Sequence, residues 1–112
     1  MTAPALRVRF YSTTEGREPV REWLKGLPAD ERKAIGDDIR TMQFGWPLGM
    51  PLVRSLGDGI WEVRTRLPNR IGRVLFTMVE GEAVLLHGFI KKSQETPLPE
   101  LRLALRRKRN LT

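Results

Sequence analysis

The chain has 112 residues, a formal net charge of +7 and no cysteine. That length allows one domain with a single modest core, and without cysteine there are no disulfides and no thiolate metal sites. Charged and hydrophobic fractions of 29% and 40% argue against a disordered chain, and no apolar run approaches membrane-spanning length.

The sequence pI near 10.8 suggests a polyanionic partner, nucleic acid before an anionic membrane surface. A basic solvated surface is the plain alternative. Residues 1–56 carry nine Lys/Arg against seven Asp/Glu, a net of +2; residues 57–112 carry eleven against six, a net of +5. The basic excess thus lies in the second half. The N-terminal stretch MTAPALRVRFYS has no apolar segment of signal-peptide length, so the expected address is the cytoplasm.

Leu6 to Tyr11 alternates apolar residues with Arg7 and Arg9, predicting a first strand at or near a sheet edge. Pro19 opens a short helix. Val20, Trp23, Leu24 and Leu27 form one apolar stripe, and Gly26 is placed to stop it. Pro28 opens a second helix with Ala34, Ile35, Ile39 and Met42 as its buried stripe and Gly45 at its end. The tight connection makes the two a helical hairpin. Their mixed charged faces read as solvated surface.

Trp46 to Pro51 is a loop rich in Pro and Gly, and Leu52 to Leu56 is a candidate short strand. Gly57-Asp58-Gly59 is a turn into the stretch Ile60–Lys92. There, three apolar, β-branched runs are separated by turn signals at Leu67-Pro68-Asn69-Arg70 and Glu80-Gly81-Glu82, the pattern of an antiparallel meander. Thr96-Pro97 reads as an N-cap followed by Pro in the first helical position. Leu98, Leu101, Ala104 and Leu105 give the last helix its apolar face, and Arg106-Arg107-Lys108-Arg109 close it with cations. The predicted class is α+β: a small antiparallel sheet, made of the N-terminal strand and the three-stranded meander, with a helical hairpin on one face and a C-terminal helix.

Alternation sorts the meander into faces. Trp61, Val63 and Thr65 share one side with Val74, Phe76 and Met78. Glu62, Arg64 and Arg66 share the other with Ile71, Arg73, Leu75, Thr77 and Val79. Arg64 and Arg73 therefore meet on one face, expected to be open. Either Glu62 neutralises them in an Arg–Glu network, or they clamp a phosphate by bidentate hydrogen bonds. The strand around Leu86 is apolar on both sides, so alternation does not orient His87. Lys91 and Lys92 point to opposite sides unless the strand ends between them.

The order of elements, with Asp58-Gly59-Ile60-Trp61-Glu62-Val63-Arg64, Gly72-Arg73-Val74-Leu75-Phe76 and Leu85-Leu86-His87-Gly88-Phe89-Ile90-Lys91-Lys92 before Thr96-Pro97, resembles the RelE/ParE superfamily of bacterial toxins. The nearest likeness is to the HigB-like, phage-derived branch of type II toxin–antitoxin systems. It covers nearly the whole chain, and its most specific part is the LLHGF-x-KK…TP ending. The resemblance implies a microbial-ribonuclease-like, RelE-like fold acting as a ribosome-dependent mRNA endonuclease. It also implies a small antitoxin partner, commonly a helix-turn-helix protein that contacts operator DNA. By the same resemblance Arg64, Arg73 and Lys91, with Lys92 beside it, fall on catalytic positions. Many relatives carry a Tyr or His near the chain end; this chain has none after His87, and its only Tyr is Tyr11.

On this reading the ribose hydroxyl of the RNA attacks the adjacent phosphate. Arg64 and Arg73 hold the phosphate oxygens, and Lys91 or Lys92 stabilises charge or protonates the leaving oxygen. His87 is the only conventional acid–base group in the second half. It is either a proton carrier or a partly buried strand histidine with one hydrogen bond. Arg66, Arg102, Arg106, Arg107, Lys108 and Arg109 are candidate RNA contacts, or else solvated ends. No cofactor, metal-ligand spacing or membrane partner is expected. Two other classes fit the same basic sheet: a ParE-like gyrase poison and a nucleic-acid-binding module without catalysis.

Overall fold

The computed structural model describes residues 6–111. The elements in chain order are β1 (Arg7–Phe10), α1 (Pro19–Lys25), α2 (Ala29–Gly45), β2 (Val53–Gly57), β3 (Ile60–Leu67), β4 (Arg70–Val79), β5 (Glu82–Lys91) and α3 (Leu98–Arg109). One five-stranded sheet has the order β1-β5-β4-β3-β2. The meander β3-β4-β5 follows the predicted turns. Pro68 and Asn69 link β3 to β4, with Asn69 at φ 60°; Glu80 and Gly81 link β4 to β5, at φ 49° and 81°. Two successive positive φ values match the right-handed strand twist of a tight hairpin.

The class is α+β as expected, but the sheet is mixed. β1 runs parallel to β5, with Arg7 opposite Glu82 and Phe10 opposite Leu85. Parallel pairing requires a long crossover; here the connection runs through both helices, α1 and α2, and through the meander.

The sheet is also covered on both sides, not on one. Val63, Val74, Phe76 and Leu85 pack beneath Val20, Ile35, Ile39 and Met42 of α1 and α2. Trp61 joins this layer through Trp46, ring centroids 5.2 Å apart and edge-on. The opposite face buries Ile60, Leu75, Val84, Leu86 and Phe89 with Tyr11 against Ala104, Leu101 and Leu105 of α3. Leu98, predicted to share that apolar face, is exposed instead.

At Gly88 the sheet meets α1 so closely that a Cβ would lie 2.3 Å from the Trp23 ring. Only a residue without a side chain admits Trp23 at that depth.

α3 does not start as expected. Pro97 occupies the N-cap position and no side chain caps the helix. The Thr96 hydroxyl donates instead to Glu62 Oε2, at 2.6 Å. A buried carboxylate that must be satisfied takes this hydroxyl from the helix end. Thr96 therefore ties the β5–α3 connection to the sheet.

Candidate functional site

The arginine face forms at the end of the sheet that α3 leaves uncovered. Arg64 and Arg73 are direct register partners on β3 and β4, as alternation predicts. Glu62, two residues before Arg64 on the same face, is fully buried between them. Its Oε1 lies 3.7 Å from Arg64 Nε and its Oε2 3.9 Å from Arg73 Nε. The Arg–Glu network is therefore present.

The face is not open at Arg73. Residues 93–96, a strap between β5 and α3, lie across it. The Arg73 guanidinium is fully buried, donating through Nη1 to the Glu95 carbonyl at 2.7 Å and through Nη2 to the Ser93 carbonyl. It also stands 5.7 Å from the centroid of the Phe89 ring. Burial pushes the Arg73 pKa down, against the pull of Glu62 and Glu95, and the charges of Arg64 and Arg54 push it further the same way. A guanidinium stays charged even so. Arg73 faces protein on every donor that carries a hydrogen bond.

Arg64 is different. Its Nη2 donates to Gln94 Oε1 at 2.8 Å, and the side chain borders a cleft of about 550 Å³. The cleft lies where β3 runs on past β2; Arg64 N–H donates to the carbonyl of Leu52, the residue before β2, at 2.8 Å. Arg64, Arg66, Arg70, Lys92 and Gln94 bring polar groups to its wall, and Met50, Pro51, Leu52 and Ile71 supply the apolar part. Arg70 is paired with Glu31 of α2. Asp38, also from α2, is the one carboxylate lining the cleft among the described residues. It belongs to a helix face that reads as solvated surface, and only the approach of α2 to the far end of β3 brings it here. No local spacing signals it.

Lys91 and Lys92 separate because β5 ends at Lys91. Lys92 enters the cleft wall; Lys91, paired in register with Ile71, is exposed and outside that wall.

A family profile described as phage-derived protein Gp49-like matches residues 22–109. The chain belongs to the Gp49-like family. The matched span contains every residue of the cleft. A search of curated proteins finds no match.

Two further candidates of this Gp49-like chain lie elsewhere. His87 sits at a bulge: Leu75 pairs with His87 and Phe76 with Leu85, leaving Leu86 as the extra residue. Leu86 and His87 consequently both turn toward α3, which is why alternation fails there. His87 Nε2 lies 3.1 Å from Glu100 Oε1 of α3, and the ring stacks on Phe89. Burial pushes the His87 pKa below the usual 6.5, outweighing the Glu100 hydrogen bond and charge, and Arg107 adds to the fall. The folded ring therefore resists a proton that the unfolded chain accepts below about pH 6.5. Stability from this site is complete above that pH and is lost as the pH falls. The wild-type urea midpoint should drop more between pH 7 and about pH 5.5 than that of His87→Gln. Parallel midpoints would show that His87 is not buried as described.

The C-terminal cations divide by direction. Arg107 Nη1 donates to the Leu86 carbonyl at the bulge, 2.7 Å, and its guanidinium stands 5.7 Å from the Tyr11 ring centroid. Burial lowers its pKa, with Tyr11 opposing and Arg106 reinforcing. Lys108 donates to the Asp58 carbonyl at 2.6 Å, closing α3 onto the β2–β3 turn. Both are used within the fold. Arg102, Arg106 and Arg109 are exposed. Among the described residues no helix is long and apolar enough to cross a membrane, and no His/Cys/Asp/Glu group is arranged to hold a metal ion.

Proposed function

We propose that this protein is the toxin of a type II toxin–antitoxin system, an endoribonuclease that cuts mRNA on the ribosome. The observation that carries the reading is the cleft, where Arg64, Arg66 and Lys92 stand around a space of about 550 Å³ with, among the described residues, a single carboxylate, Asp38. Cations converging on a concave wall favour a polyanion, and an apolar rim suits a base. Membership of the Gp49-like family and the RelE/HigB resemblance of the strand motifs support the toxin assignment.

The chemistry needs no metal, because the nucleophile belongs to the substrate. The RNA 2′-oxygen bonds to the adjacent phosphorus while the bond from phosphorus to the 5′-oxygen breaks. The products are a 2′,3′-cyclic phosphate and a 5′-hydroxyl. Arg64 and Arg66 hold the non-bridging oxygens. The Lys92 ammonium gives a proton to the leaving 5′-oxygen, and Asp38 accepts the one leaving the 2′-hydroxyl. Arg102 and Arg106 meet ribosomal RNA by salt-sensitive phosphate contacts. The partner that silences the protein is a small antitoxin of helix-turn-helix type, through which alone the pair reaches operator DNA.

A nucleic-acid-binding module that does not cut is the second reading. It is favoured by His87, the only histidine of the chain, which is bound to Glu100 and not to the cleft. Mapping new 5′ ends on mRNA in a translating extract separates the two. Cuts are expected with ribosomes present; their absence sinks the nuclease reading. Loss of DNA synthesis before amino-acid incorporation in induced cells would point to gyrase instead. Asp38→Asn should bind RNA more tightly, since an anion leaves a cationic wall, yet cut roughly 10²–10⁴-fold more slowly. Unchanged cutting would remove Asp38 from the mechanism.

A further inference from the structure

We infer that Arg73 is a positioning residue, not a phosphate ligand: it docks the strap of residues 93–96, which holds Lys92 and Gln94 against the cleft. This rests on the cleft being the RNA site. The geometry has three parts. The guanidinium fork of Arg73 is spent on the carbonyls of Ser93 and Glu95, one residue to either side of Gln94. Its remaining nitrogen, Nε, faces Glu62 at 3.9 Å and has no hydrogen-bond partner. The side chain has no exposed surface for a ligand to reach.

Two neighbours of Arg73, Glu62 and Arg64, act on the same segment. Thr96 fixes one end of the strap to Glu62, and Arg64 takes the Gln94 side chain at its middle. Lys92 immediately precedes the strap and follows the last residue of β5, so strap and strand end together set its place in the wall. A two-pronged donor gripping alternate carbonyls fixes a loop more firmly than one bond, because the planar fork has little freedom of its own to lose. Arg64, by contrast, borders the cleft and reaches the strap through one nitrogen only, Nη2, which donates to the Gln94 amide oxygen at 2.8 Å and to the Gln94 carbonyl at 3.4 Å. The two arginines opposite each other on β3 and β4 therefore have different work: Arg64 touches the RNA, and Arg73 holds the loop beside it.

Salt dependence separates these roles, because each direct phosphate contact on a single strand contributes about 0.7 to the slope of log K against log salt. The probe is a fluorescein-labelled single-stranded oligoribonucleotide with 2′-O-methyl riboses, which cannot be cut, titrated by anisotropy over a series of KCl concentrations. Arg64→Ala should flatten the slope by about 0.7. Arg73→Gln should leave the slope close to wild type while weakening binding about tenfold, the loss expected if the strap is docked only about a tenth of the time. The backbone order parameters of residues 93–96 should fall below about 0.6 in that variant.

Thr96→Val frees the strap from its other end without changing a charge or touching Arg73. It should repeat both the weaker binding and the lowered order parameters, which guards against an Arg73 variant that does not fold. If Arg73→Gln flattens the slope as Arg64→Ala does, Arg73 is a phosphate contact and the inference is wrong. It is equally wrong if Thr96→Val loosens the strap with affinity unchanged. Wild-type binding without salt dependence would instead remove the RNA reading of the cleft, on which the inference stands.

Discussion

Glu62→Ala is expected to destabilise the protein by about 3–5 kcal/mol, the usual cost of removing one partner from a buried ionic group. Glu62 and Arg73 are both fully buried, and Arg64 is nearly so. Without the carboxylate, two guanidinium groups paired across neighbouring strands face each other with no anion between them. The Thr96 hydroxyl loses its acceptor at the same time. Domains of this size have only about 5–15 kcal/mol in total, so the variant should lie near the edge of folding. Urea denaturation measures it. Glu62→Leu combined with Arg73→Leu should recover much of the loss, since apolar replacement of a buried pair is often neutral. A single-variant cost below about 1 kcal/mol would mean that water reaches this cluster and that it is not the buried core of the site.

The same cluster shows where sequence reasoning reached and where it stopped. Alternation in Glu62, Arg64 and Arg66 and in Ile71, Arg73 and Leu75 is enough to pair Arg64 with Arg73, because a hairpin turn of two residues leaves one register. It does not reveal burial. An arginine inside a strand suggests a solvated face, yet Leu75 and Val79 lie on that same face and need cover. α3 covers their end, and the strap covers Arg73. What decides burial is the path of the chain after Lys92, which local pattern does not encode. β1 is a similar case: its alternation is clear, but nothing in four residues states whether β5 accepts them parallel or antiparallel. Thr96-Pro97 carries a sound capping signal that a stronger demand overrode, since an unsatisfied buried carboxylate costs more than an uncapped helix start. Asp38 illustrates the remaining limit. It enters the cleft only because α2 packs against β3 in the folded chain.

Arg64→Ala should lower the rate of mRNA cutting on the order of a hundredfold or more, while costing much less in stability than Glu62→Ala. The first expectation follows from the position of the guanidinium. It is set on the sheet by register, oriented by Glu62 and Gln94, and borders the cleft. A donor organised before the substrate arrives stabilises developing charge on a phosphate without paying reorganisation at the moment of reaction, and removal of one such group typically costs about 10²–10³ in rate. The second follows from what is left behind. Glu62 keeps Thr96 and Arg73, so no buried charge loses its last partner. Cut-site mapping in a translating extract gives the rate, and urea midpoints give the stability. Arg102→Ala supplies the contrast: losing an exposed cation on α3 should weaken binding most at low salt, flatten its salt dependence, and leave the rate at saturation unchanged. If Arg64→Ala is folded and cuts at the wild-type rate, the cleft has been given the wrong chemistry. If it is folded and Arg102→Ala alone impairs cutting, the reacting phosphate lies by α3. The distinction matters because both surfaces are basic, and only a side chain held rigidly beside the scissile bond changes the rate once the RNA is bound.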